Sequence, residues 1–292
     1  MNEALSGIVE GWNHFWFRVL VHRQYRLIHN LLCLVTILWW FSFWIGIDDW
    51  FSLNGWFNAD LATNLIYFKN PADATLRWSF LWWFPSRFGV HAAIIVGILS
   101  SLLALMYARW WTLLIQWLAV VSWSHRIGWL NSTFEPALAS FLLYDLLAHA
   151  IPTPQAKMDT PDALLCKHLA IRLLQVHTWG LLVAGVLHQI AGIVWVNGEA
   201  VWWISAAGRS NCLPAGWMIT SPLLANALSH GFIGVQFVAV ALVLYPSTSR
   251  LGLGLGYLAA LGYAFLADYV LYGFLLCIGL LAIGVGTKQS AN

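Results

Sequence analysis

Long apolar runs separated by short polar stretches organise this chain. About 20 apolar residues cross a bilayer as a helix, and runs of that order fall at 26–47, 90–108, 110–127, 134–151, 168–194, 222–245, 251–267 and 270–286. The pattern predicts an all-α fold, a polytopic membrane bundle of about eight transmembrane helices. Residues 1–25 then form a polar N-terminal segment, 26–286 a single transmembrane domain, and 287–292 a short tail. The third run is short and polar at its end, and the last two runs are divided at Asp268.

Two connections exceed simple turns. Residues 48–89 contain Trp56-Phe57-Asn58 and an aromatic stretch, 76–84, which suggests a segment lying in the interface. Residues 198–221 have room for a short helix before Cys212-Leu-Pro214. The stretch 152–167, with Pro152, Pro154 and Pro161, reads as an ordinary connector.

Composition strengthens the membrane reading. Of 292 residues, 60% are hydrophobic and 9% charged, far from soluble globular usage. The 20 tryptophans, paired at Trp39-Trp40, Trp82-Trp83, Trp110-Trp111 and Trp202-Trp203, suit the headgroup level. No small-residue cleavage site follows a short apolar core near the start, so the first span is expected to act as its own signal. Cys33, Cys166, Cys212 and Cys277 lack metal or redox spacing. A net charge of +2 without a basic tract gives nucleic-acid binding no support.

Basic residues orient the bundle. Arg18, Arg23, Arg26, Arg109, Lys157, Lys167, Arg172, Arg250 and Lys288 fall on one side, against Lys69, Arg77, Arg87, Arg126 and Arg209. Both termini are then cytoplasmic, in a multi-pass membrane protein surrounded by lipid.

With this topology His91, His125, Arg126, Glu135, His188 and Glu199 come to the outer half of the membrane, where polar side chains are costly and mark sites. The apolar run 168–203 carries His168, His177 and His188 and ends in Trp195-Val-Asn-Gly198-Glu199, a sharp turn. His188 is either a neutral base reachable from outside or a histidine bonded to a neighbouring helix beside Gln189. His177 lies three helical turns earlier, too far for a two-histidine metal site, so no metal is expected. Glu135 starts a span behind Asn131-Ser-Thr133, where capping alone would account for it. Asp145 and His149, four residues apart, read as a mutually satisfied pair. Asp268 reads as a turn between spans, with a functional carboxylate as the alternative. Nucleophile-elbow, zincin and nucleotide-loop motifs are absent. The glycines of 251–256 favour close helix packing.

The order of features from Arg26 onward resembles the horizontally transferred transmembrane (HTTM) domain family, which includes the membrane part of vitamin K-dependent gamma-carboxylase. The resemblance is carried by Arg172-Leu-Leu-Gln175, Ala184-Gly185, Trp195-Val-Asn-Gly198-Glu-Ala200, the paired spans after Arg250, and residues 122–126 followed by Glu135. Cys212-Leu-Pro214 and Ser221-Pro-Leu-Leu224 are most similar to the bacterial sporulation-delaying protein B branch. The resemblance implies modification or maturation of a secreted peptide, a partner subunit for recognition, and a reduced quinone as cofactor. It places His188, four positions after Ala184, where the carboxylase has its base. Arg126 would hold a carboxylate and Glu135 would orient His188, with Glu199 beside them. Two other classes stay open: a non-enzymatic scaffold or peptide-binding partner using the outer loops, and a small-molecule transporter.

Overall fold

An apolar chain in lipid must satisfy its backbone hydrogen bonds within each segment, and helices do so. The computed structural model describes residues 2–17, 25–52, 54–58, 60–64, 79–84, 86–128, 132–151, 160–207, 221–245, 247–267 and 269–287; all regular structure among them is helical. In chain order these helices are α1 (Asn2–Phe17), α2 (Tyr25–Ser42), α3 (Ile47–Phe51), α4 (Arg87–Met106), α5 (Trp110–Arg126), α6 (Phe134–Ala148) and α7 (Pro161–Ala191). They continue with α8 (Ile193–Val196), α9 (Ala200–Ala206), α10 (Pro222–Val243), α11 (Ser249–Phe265) and α12 (Val270–Thr287). Each of the eight apolar runs holds one of the long helices. Four of them, α2, α4, α7 and α10, are long and apolar enough to cross a membrane by length and composition.

The chain divides into two compact units, residues 1–21 with 29–170, and residues 22–28 with 171–292. In the first unit α4 packs on α5 and α5 on α6. Its core is aromatic: Trp123 meets Trp40, Phe43 and Phe51 at centroid distances of 5.5, 5.2 and 5.4 Å, and Trp39 lies 4.8 Å from Trp40. Trp39 and Trp40 are therefore core residues and not the headgroup-level pair expected from sequence. Gly97 makes this possible, because the Trp40 ring occupies the space a β-carbon would need.

In the second unit α11 packs on both α10 and α12. Gly252 brings the backbones together, its missing β-carbon falling 2.6 Å from the Val243 nitrogen; one turn on, Gly256 makes room for Leu280. Small residues on one face let helices approach closely where lipid offers no hydrophobic drive.

Two expectations change. The stretch 152–167 is not all connector, since α7 begins at Pro161. The reason is local: the Thr160 hydroxyl accepts the Ala163 N–H at 3.3 Å, proline occupies the first helical position, and Asp162 complements the helix dipole. The N-terminal segment also forms a helix, α1, whose Val9, Trp12 and Trp16 follow a helical apolar spacing. His168 Nε2 approaches the Phe15 carbonyl at 3.3 Å, tying α1 to the start of α7.

Candidate functional site

A buried polar cluster occupies the first unit. Asp145, on the last turn of α6, is fully buried and pairs with His29 of α2, Oδ2 to Nδ1, at 2.8 Å. The other His29 nitrogen, Nε2, faces the Ala104 carbonyl of α4 at 3.2 Å and the Cys33 sulfur at 3.9 Å. Both ring nitrogens thus face acceptors. That arrangement needs a second proton, on the ring or on the carboxylate, or a cation between them.

His149, one turn beyond Asp145, closes the cluster. Its Nδ1 lies 3.0 Å from the Asp145 carbonyl and 3.6 Å from Oδ1, and its ring centroid is 5.3 Å from that of His29. The donor atoms of His29, Asp145 and His149 lie within 4.8 Å of one another. Gln116 of α5 is fully buried next to Cys33. Breaking a buried charge pair of this kind costs about 3–5 kcal/mol, because the remaining partner is left uncompensated.

Asp145 and His149 are a satisfied pair, as their spacing suggests, but the stronger partner of Asp145 is His29, 116 residues away. The expectation that no metal is bound rested on local spacing and so could not include His29. One signal was available in sequence: His29 and Cys33, four apart, are polar positions on one face of an apolar run.

Of the four expected site residues, Arg126 and Glu135 belong to the first unit, and His188 and Glu199 to the second. Arg126, 2% exposed at the end of α5, donates from Nη2 to the Phe57 carbonyl at 2.8 Å, with Cζ 5.7 Å from the Phe57 ring. Its Nη1 is buried without a partner among the described residues. It secures the segment after α3. Glu135 accepts both the N–H and the hydroxyl of Ser132 through Oε2, at 2.7 and 2.9 Å, and Ser132 Oγ accepts the Phe134 N–H at 3.1 Å. These reciprocal bonds tie the residues just before α6 to its first turn, much as a capping box does, so Glu135 secures the start of that helix. Arg126 and Glu135 form no ion pair with each other. His91 is bound to its own surroundings, 2.9 Å from the Arg87 carbonyl and 3.5 Å from Asp48.

In the second unit Gln189 donates from Nε2 to Gln236 Oε1 at 3.2 Å and to the Tyr263 hydroxyl at 3.1 Å, while Gln236 Nε2 donates to the Leu182 carbonyl at 2.9 Å. Gln189 is buried and the adjacent His188 is exposed. The polar glue expected of this pair falls to the glutamine, and the His188 side chain makes no hydrogen bond to another described residue. Beyond the break at Gly192, the turn at Asn197-Gly198 is secured from α10: Asn226 donates to the Asn197 carbonyl at 3.1 Å, and His230 Nε2 meets the Val196 carbonyl at 3.0 Å. Gly198 takes a φ of +76°, which favours glycine, and Asn226 fills the place of its β-carbon. Glu199 is exposed and makes no side-chain cap on α9, the short helix expected in this loop. Cys212-Leu-Pro214 and Asp268 lie outside the described residues.

Comparison with protein-family models, curated proteins and solved structures gives no match.

Proposed function

We propose that this chain is a multi-pass membrane protein of the gamma-carboxylase-like HTTM kind, with eight crossings and both termini cytoplasmic. It modifies or matures a secreted peptide from the outer side of a bacterial inner membrane. Helices of 15 to 17 residues such as α5, α6 and α11 cross with local thinning of the bilayer, a modest cost for elements packed in a bundle. Support for the functional reading comes chiefly from His188. It stands exposed on a helix that Gln189 anchors, and an imidazole without a hydrogen-bond partner among the described residues is free to meet water or a ligand. His188 is the general base, taking a proton from the peptide or from a reduced quinone. Arg126 and Glu135 act as supports of the fold in this reading, and Glu199 lines the outer approach.

The test is intact-mass analysis of secreted and periplasmic peptides from cells carrying the protein, its His188→Ala variant or neither, with neighbouring genes co-expressed. A mass change that needs His188 is the expected result. Identical profiles from all three, with the protein present in the membrane, would overturn the reading in favour of a scaffold.

A further inference from the structure

We propose that His29, Asp145 and His149 bind one divalent first-row transition-metal ion, zinc or ferrous iron, between α2 and α6. The argument begins with distance. Bonds of about 2.0–2.2 Å around a tetrahedral or octahedral ion set neighbouring ligands about 3.0–3.5 Å apart. Asp145 lies 2.8 Å from His29 Nδ1 through Oδ2 and 3.6 Å from His149 Nδ1 through Oδ1, close to that range on either side, so each carboxylate oxygen faces one histidine. The donor atoms all fall within 4.8 Å of one another, and binding would draw them together as His149 Nδ1 gives up its place beside the Asp145 carbonyl.

The construction is also that of metal sites in helical bundles. Asp145 is on the last turn of α6 and His149, one turn on, is its C-cap, while His29 faces them from another helix, so the donors converge from ordered elements. Ala104 supplies the outer support. Its carbonyl accepts from His29 Nε2, which orients the ring and leaves Nδ1 for the metal. A cation at Nδ1 also answers the need created by two acceptors around one ring.

Donor chemistry selects the ion. Two imidazoles and one carboxylate suit zinc and ferrous iron, whereas magnesium and calcium take oxygen ligands. Three protein donors leave a coordination position open. Cys33, on the Nε2 side of His29, falls outside the donor set and is not a ligand. His149 is 16% exposed while His29 and Asp145 are 2% and 0%, so the ion enters past His149. None of this depends on His188.

The experiment uses the full-length chain, free of any histidine tag, purified in detergent. Metal content is measured by plasma mass spectrometry, and after chelation the protein is titrated with Zn²⁺ and, for its visible ligand-field bands, with Co²⁺. The expected result is roughly one equivalent per chain, with affinity lowered roughly tenfold or more in His149→Ala and in Asp145→Asn, and unchanged in Cys33→Ser. His149 is the least buried of the three, so His149→Ala carries the test if Asp145→Asn fails to fold. Binding of less than about a tenth of an equivalent to monodisperse protein would overturn the proposal. So would Co²⁺ bands that His149→Ala leaves unchanged.

Discussion

Gly185 sits where a β-carbon would meet the Gln236 amide and stand 2.8 Å from the Tyr263 hydroxyl. The glycine of the Ala184-Gly185 step thus has a physical task, to let the network of Gln189, Gln236 and Tyr263 close. Gly185→Val should destabilise the second unit by about 1–3 kcal/mol, through overpacking and lost hydrogen bonds. Thermal unfolding in detergent, followed by the monodisperse fraction, reads this; an unshifted midpoint would mean that the network closes without that space.

Gly97 and Trp40 form the corresponding contact in the first unit. Gly97→Leu should lower stability by about 1–3 kcal/mol. Because the clash is with one ring, Trp40→Ala in the same protein should recover part of the loss. A double-mutant cycle with no coupling would contradict the contact.

Arg126 holds the Phe57 carbonyl, so Arg126→Ala should free the segment around Trp56 and leave a buried acceptor unpaired, at about 1–3 kcal/mol. Limited proteolysis should cut near residues 54–58 faster in the variant. An unchanged digestion pattern would return Arg126 to the list of ligand-binding candidates.

Glu135 permits a sharper discrimination between support and chemistry. Glu135→Gln keeps an acceptor for the Ser132 N–H and should retain stability and function, whereas Glu135→Ala loses the cap at about 0.5–2 kcal/mol. A stable Glu135→Gln protein that forms no product would show that the carboxylate itself is used.

Much of the helical layout is legible in the apolar runs, because hydrophobicity at this length scale is a local property. α10 begins at Pro222 and α6 at Phe134, where the runs at 222–245 and 134–151 begin. The early start of α7 was also legible, in Thr160-Pro161-Asp162, but a run-based reading passes over polar helical turns. Trp39 and Trp40 were misplaced because tryptophan suits both an interface and a core, and only Gly97, more than 50 residues on, decides between them. The cluster at His29 follows the same logic. Asp145 and His149 announce themselves by spacing, whereas their third member depends on how α2 and α6 pack, which no local pattern encodes.

The length of α7 sets a scale for the molecule in its bilayer. Its 31 residues amount to about 46 Å at 1.5 Å per residue, against ~30 Å of hydrocarbon. Crossing at the average tilt of about 20° it would still span about 44 Å, which would leave roughly ten residues beyond the lipid. Asp162 and Lys167 fall in that first stretch, and His168, buried against the Phe15 carbonyl of α1, follows them. A label or antibody directed to residues 161–167 would report, in intact cells, which side of the membrane this end of the protein occupies.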